Sequence, residues 1–295
     1  MRTALILLFS LQAVASLAQE LAKTLLWRIE TEDHAPSYLY GTVHSKDERA
    51  FQFTDSVLPA LRRCELVAGE LDLDAQMSGT MDVMNVMLLP NGQRLEDLYR
   101  RKEMKVVESA LRERLGPLHG MFARVKPLFI MAMLTEGSMN EDRTEMLDDH
   151  LLRLARDNGQ RVAGIETIEE QLAAMDAIPI KEQARMLLDQ IQSDEQADGL
   201  DALLEAYAAQ DLDAIMAMVE KGWMMEHTLE TALLTTRNAT MVMRMDSIMR
   251  SGTSSFFLIG AAHLPGPTGT IQGLRDMGHV VRPVMATRTA AIKEH

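Results

Sequence analysis

The chain begins with Arg2 and an almost unbroken apolar run over residues 4–15, followed by Ser16, Leu17, Ala18, Gln19 and Glu20. A basic start, an apolar stretch too short to span a bilayer, and small residues at positions 16 and 18 predict a signal peptide cleaved after Ala18. A packed N-terminal helix is the alternative, but Ser10 and Gln12 alone do not make the polar face that a surface helix would show. Residues 1–18 are therefore set apart, and residues 19–295 are expected to form a single domain.

Extended runs over residues 25–30 and 38–43 flank Asp33-His34-Ala35-Pro36-Ser37, a turn-rich cluster that predicts a hairpin. Helical spacing over residues 54–63 leads into Glu65-Leu66-Val67-Ala68-Gly69-Glu70-Leu71-Asp72, a buried strand emerging into polar residues. The opening thus predicts β-β-α-β. From residue 74 to 160 the apolar period is helical, broken at Gly116-Pro117 and Lys126-Pro127. Residues 161–165 predict a short strand, and Thr167 with Glu170 predicts a capping box on the helix that follows. Residues 179–250 are helical in pattern. A strand over 255–259, a loop through Gly269, a helix to Met277 and a strand over 279–284 close the chain. The expected fold class is α/β: a mixed β-sheet from the N- and C-terminal thirds, with a large α-helical insertion over about residues 74–250.

Charge narrows the partners. The formal net charge is −13, and loss of Arg2 with the signal peptide takes it to −14. Nucleic acid and anionic membrane surfaces reward clustered Lys and Arg, so neither is expected. No segment after the signal peptide is apolar for long enough to span a membrane. The single cysteine, Cys64, excludes an intramolecular disulfide; among Leu61, Leu66 and Val67 it reads as a buried thiol rather than a nucleophile. The 23 methionines gather in stretches such as Met81-Asp82-Val83-Met84-Asn85-Val86-Met87 and Met241-Val242-Met243-Arg244-Met245. Soft-metal binding or an adaptable groove is one reading; core packing by a flexible helix former is the expected one.

The candidate chemistry lies near the two ends of the chain. SYLYGTVH ends at His44 and SSFFLIGAAH ends at His263, so in each case an apolar strand runs into Gly-x-x-His. Strand ends in an α/β sheet open into a crevice, and glycine removes the Cβ that would block close approach. A lone Gly-x-x-His is weak, since composition alone supplies roughly half a match. Gly116-Pro117-Leu118-His119 is such an accident, because no strand precedes it. The matched strand context is what makes His44 and His263 candidates for one shared site.

GTVHSKDERAF, LVAGELD, RVAGIETIEEQ, TTRNATMVMRM and FFLIGAAHLPGPTGTIQGLRDMGHVVRPV, in that order, resemble the TraB/PrgY/GumN family, which is related to TIKI-type proteases. The C-terminal block carries most of the likeness, through Gly260, His263, Gly266, Gly269 and Gly278. The resemblance implies His44 and His263 as metal ligands, with Glu70 as the carboxylate that joins them. Two imidazoles and a carboxylate leave open positions on Zn²⁺, Mn²⁺ or Co²⁺ for an activated water. The resemblance also brings in Arg237-Asn238: the Arg to stabilise an oxyanion or hold a substrate carboxylate, the Asn to position a water or backbone group, with a solvated helix face as the alternative. Asp72 either orients a ligand histidine or is an exposed strand end. Glu166 is expected mainly to cap the next helix, with an approach to the site as the other possibility. The loop over residues 263–269 lacks the P-loop Lys and Ser/Thr, and no Gly-x-Ser-x-Gly elbow occurs.

These features predict a periplasmic or secreted, metal-dependent, peptidase-like hydrolase acting on a peptide or a small ester or amide. A non-catalytic module whose histidines hold haem or another ligand is the second reading. An interaction protein gripping a partner with its Met-rich helices is the third.

Overall fold

The structure, a computed structural model, describes residues 21–72, 86–137, 140–193, 196–223 and 227–285. The expected signal peptide, and Met81 to Asn85 of the first Met-rich stretch, lie outside the described residues.

The hairpin forms as β1 (Leu26–Glu30) and β2 (Ser37–Thr42), antiparallel with Leu26 opposite Tyr40. Helix α1 (Val57–Arg63) and strand β3 (Leu66–Gly69) complete the β-β-α-β opening. The helical region then runs through α2 (Arg101–Leu115), α3 (Pro127–Glu136) and α4 (Leu147–Asp157) to β4 (Arg161–Gly164). It continues as α5 (Ile168–Asp176), α6 (Ile180–Gln192), α7 (Gln196–Ala208) and α8 (Leu212–Trp223). Helix α9 (His227–Glu230) passes through one π-helical segment (Thr231–Thr235) into α10 (Thr236–Arg250). Strand β5 (Ser255–Gly260), helix α11 (Thr270–Asp276) and strand β6 (Val280–Pro283) end the fold.

The six strands lie in the order β4-β3-β5-β2-β1-β6. β4, β3, β5 and β2 are mutually parallel neighbours, while β1 is antiparallel to both β2 and β6. The chain is thus α/β, with a mixed sheet drawn mainly from its two ends and helices inserted between them. Strand β5, flanked by β3 and β2, buries Ser255 through Ile259 without alternation, as a strand covered on both faces must.

The apolar interior divides in two. The larger core packs the sheet against helices including α10, whose Met241, Met245 and Met249 repeat every fourth residue and are buried, while Met243 faces solvent. Core packing therefore accounts for most of that Met-rich stretch. A smaller core joins Val107, Leu111, Ile130, Leu134 and Leu187 of α2, α3 and α6 to Leu89 and Leu95. The two predicted breaks fall between these helices: Gly116 ends α2 with φ of 56°, and Pro127 opens α3 at its first position.

Cys64 is buried with its Sγ 3.4 Å from the Ala60 carbonyl, and burial pushes its pKa up to about 12. It is a packed thiol, as expected. The exposed strand end foreseen as one reading of Asp72 is corrected: Asp72 is buried and bound by Arg156. β3 stops at Gly69, so the two-residue alternation does not extend to Asp72.

Candidate metal centre

Parallel pairing sets the carboxyl ends of four strands side by side, with Thr42 level with Gly260, and Gly69 level with both Leu258 and Gly164. Crevices at such strand ends are where α/β sheets place their chemistry. Strands β3 and β4 carry the same tripeptide in register: Val67, Ala68 and Gly69 face Val162, Ala163 and Gly164. Main-chain pairing continues one step further, with Ile165 N donating to Gly69 O and Glu166 N donating to Glu70 O, both at 2.8 Å. Two acids, Glu70 and Glu166, are therefore delivered next to one another.

Two side chains bind both acids. Arg237 Nη2 donates to Glu70 Oε2 at 2.7 Å and to Glu166 Oε2 at 2.6 Å, while its Nε donates to Glu166 Oε1 at 3.1 Å. Gln171 Nε2 donates to Glu70 Oε2 at 3.2 Å and to Glu166 Oε2 at 3.1 Å. Arg237 is launched by the π-helical segment before α10, and its Nη1 returns to the Leu233 carbonyl within that segment at 3.2 Å. A π-turn widens the helix locally and is a frequent mark of a functional position. Burial works against the charge of Arg237, but the two carboxylates outweigh it and its pKa is raised. The remaining oxygen of Glu70, Oε1, accepts from Gly260 N at 2.7 Å. A Cβ on Gly260 would lie 3.1 Å from that oxygen, so the glycine of the second motif makes room for the carboxylate. The glycine of the first motif, Gly41, makes room for the second: its Cβ would stand 3.3 Å from Ala261 and Leu264 atoms.

His263 lies in the single turn Ala261–His263 that follows β5, and its side chain is only 6% exposed. Its Nδ1 is 2.5 Å from Asn238 Oδ1, while Asn238 Nδ2 donates to the Thr268 carbonyl at 2.9 Å. The Thr268 bond fixes which way the amide points, so an oxygen faces the ring and Nδ1 must carry the proton. Nε2 is left as an acceptor, 3.8 Å from Glu70 Oε1. Burial lowers the pKa of His263; Glu70 opposes this and Arg237 reinforces it.

His44 has different surroundings. Its side chain is 66% exposed, with Nδ1 3.5 Å from Asp148 Oδ2. Thr42 Oγ1, two residues earlier, donates to the other oxygen, Asp148 Oδ1, at 2.5 Å. The Asp148 contact raises the pKa of His44, desolvation opposes it, and the charges of Asp148, Asp149 and Glu136 add to the rise. Among the described residues, no three His, Cys, Asp or Glu side chains stand together closely enough to bind one metal ion. His263 and Glu70 adjoin, and His44 pairs with Asp148 at the neighbouring strand end. His119 belongs to neither group: it sits in the 3₁₀ segment Gly116–Arg124 with Nδ1 on the Gly116 carbonyl at 2.9 Å.

Glu166 does more than the expected cap. The capping box forms through Thr167 and Glu170, which leaves Glu166 to turn inward onto Arg237. The duplicated Val-Ala-Gly, with an acid one residue on after β3 and two residues on after β4, was a readable signal for this pairing. Gln171, Thr42 and Asp148 had no comparable mark in the sequence.

Comparison with known proteins gives the chain a family. The description TraB/PrgY/gumN family matches residues 25–283. Metalloprotease TIKI2 of Xenopus tropicalis is 25% identical over 331 aligned positions, covering 93% of this chain and 62% of the relative. Metalloprotease TIKI1 of Danio rerio is 25% identical over 310 positions, covering 87% of this chain and 62% of the relative. This chain thus spans less than two thirds of the length of either relative. No solved structure matches. A match that runs from the residue before β1 to the last residue of β6 takes in the whole sheet, and the chain belongs to the TraB/PrgY/gumN family.

Proposed function

We propose that this protein is an exported, metal-dependent hydrolase of the peptidase kind, with His44, His263 and Glu70 as ligands and Glu70 also as candidate base. One observation carries the reading: the free lone pair of His263 Nε2 and the oxygen Glu70 Oε1 stand 3.8 Å apart. That is too far for a hydrogen bond, and a cation between two such acceptors would satisfy both. The names of the two metalloprotease relatives support the same chemistry. A bound manganese, cobalt or zinc ion would polarise a substrate carbonyl and lower the pKa of a water.

The chain's own residues prepare the site. Burial lowers the pKa of His263 and so favours its neutral, ligating form, and Asn238 fixes its ring so that Nε2 is the acceptor nitrogen. Arg237 and Gln171 hold one edge of Glu70 and Gly260 N–H holds the other, so the carboxylate cannot turn away. Arg237 and Asn238 are accordingly positioning residues in this reading. His44, at the adjacent strand end, completes the set by turning its exposed ring toward Glu70. The substrate would be a peptide or a small ester or amide.

Metal analysis of the purified protein tests this. Wild type should carry stoichiometric Mn, Co or Zn, and His44→Ala should lose most of it. Glu70→Gln, which keeps shape and removes charge, should lose cleavage of a responsive peptide or ester library by at least about 100-fold. A haem absorption band in place of metal, or undiminished cleavage by Glu70→Gln, would sink the proposal. Export rests on residues 1–18; protein recovered from the periplasm of a Gram-negative host should begin at Gln19, and recovery with residues 1–18 intact would refute it.

A further inference from the structure

We infer that Asp148 is the positioning residue for His44: it holds the ring by Nδ1–H and leaves Nε2 as the ligating nitrogen. The inference rests on the metal reading above for its purpose, though not for its geometry. Asp148 is the second residue of α4, a place where an acid normally favours the helix dipole and needs no further explanation. This one reaches across to the sheet. Its Oδ1 is fixed by Thr42 Oγ1 at 2.5 Å, which ties the carboxylate to the strand that leads into the first Gly-x-x-His motif. Its Oδ2 is buried and accepts no hydrogen bond among the described residues, yet lies 3.5 Å from His44 Nδ1.

A buried carboxylate oxygen without a donor is costly, and a donor 3.5 Å away on an exposed, rotatable ring is the group placed to supply one. The segment before α4 is clamped to the same loop. Arg143 N donates to Lys46 O at 3.0 Å and Leu147 N to Ser45 O at 3.2 Å, so Asp148 and His44 are held in step. Metal-bound histidines characteristically give their other ring N–H to a carboxylate or carbonyl, which sets the tautomer. Asn238 does this for His263. Asp148 would do it for His44, so that each motif histidine has its own orienting partner.

Nitrogen-15 NMR of the imidazoles in metal-free full-length protein at pH 9, with His44→Gln to assign the signals, tests the positioning without any metal. Wild type should hold His44 mainly as the Nδ1–H tautomer, and Asp148→Asn should shift it toward Nε2–H. Titration with Zn²⁺ or Mn²⁺ alone should then show binding weakened by about 10- to 100-fold in Asp148→Asn. Thr42→Val, which keeps the carboxylate but removes its anchor, should show a smaller weakening in the same direction and guards against a folding defect in the first variant. An Nε2–H tautomer in wild type, or a tautomer and affinity unmoved in Asp148→Asn, would overturn the inference. A wild type that binds no metal but shows the tautomer shift would end the metal reading and leave the role of Asp148 standing.

Discussion

The ends of β2 and β5 are neighbours in the sheet and finish with the same Gly-x-x-His spelling, yet they hold their histidines in opposite states. His263 is sunk beneath the first turn of α10, with its pKa lowered by burial and its ring held by Asn238. His44 faces solvent beside a carboxylate that favours its protonated form. The motif itself fixes only position: a strand end, a glycine for close approach, and a ring one turn further on. Exposure and the direction of the pKa shift differ with the helix that meets each ring's partners, α10 through Asn238 in one case and α4 through Asp148 in the other. In the proposed site this gives one prepared half and one adjustable half.

Denaturant unfolding of single variants should rank the two halves. Arg237→Ala leaves Glu166, with a side chain only 2% exposed, and Glu70 without their shared cation, and should cost about 3–5 kcal/mol. Asn238→Ala removes the partner of His263 Nδ1 and the donor to Thr268 O, and should cost about 1–3 kcal/mol. His44→Ala removes an exposed ring together with the donor nearest to the buried Asp148 Oδ2, and should cost about 0.5–1.5 kcal/mol. A loss in His44→Ala comparable to that in Arg237→Ala would break the distinction between a prepared and an adjustable half.

Much of the fold was legible because its strands are continuous apolar runs bounded by turn residues. The hairpin, β4, β5 and β6 fall within a residue of their expected limits, while β3 stops at Gly69, three residues short of Asp72. Their order was not legible, since nothing local in Phe256 to Ile259 says that β5 lies between β3 and β2. Pairing of distant strands is decided by burial of whole faces, not by the residues of one strand. At the site, Glu70 and His263 could be read from their motifs, and the structure places them together. Glu166 was obscured by a sound local explanation, the capping box that Thr167 and Glu170 do form. Asp148 was obscured in the same way, because an acid in the first turn of a helix is ordinary. Both residues act across the sheet, and a local rule that already accounts for a residue gives no cause to look further.

The smallest effect is also the most direct comparison of the two rings. The pKa of His263 in the folded chain is below the ordinary 6.5, so near and below that pH the unfolded chain binds more protons at this site. Stability from His263 is therefore full above about pH 6.5 and falls as the pH drops toward its folded value. His44 has its pKa raised above the same 6.5, so the folded chain binds more protons there. Stability from His44 is full below about pH 6.5 and is lost as the pH rises through its folded value. In wild type the two contributions meet near pH 6.5, with a rise in stability below it and a fall above it. Replacing one ring should expose the slope of the other. Melting temperatures measured from about pH 5.5 to 7.5 should rise more steeply with pH in His44→Gln than in wild type, and less steeply in His263→Gln. Because each variant is compared with itself across pH, any loss of packing common to all pH values drops out of the slope. If both variants changed the slope in the same direction, the two histidines would share one electrostatic environment, and the contrast between a buried neutral ring and an exposed paired one would be lost.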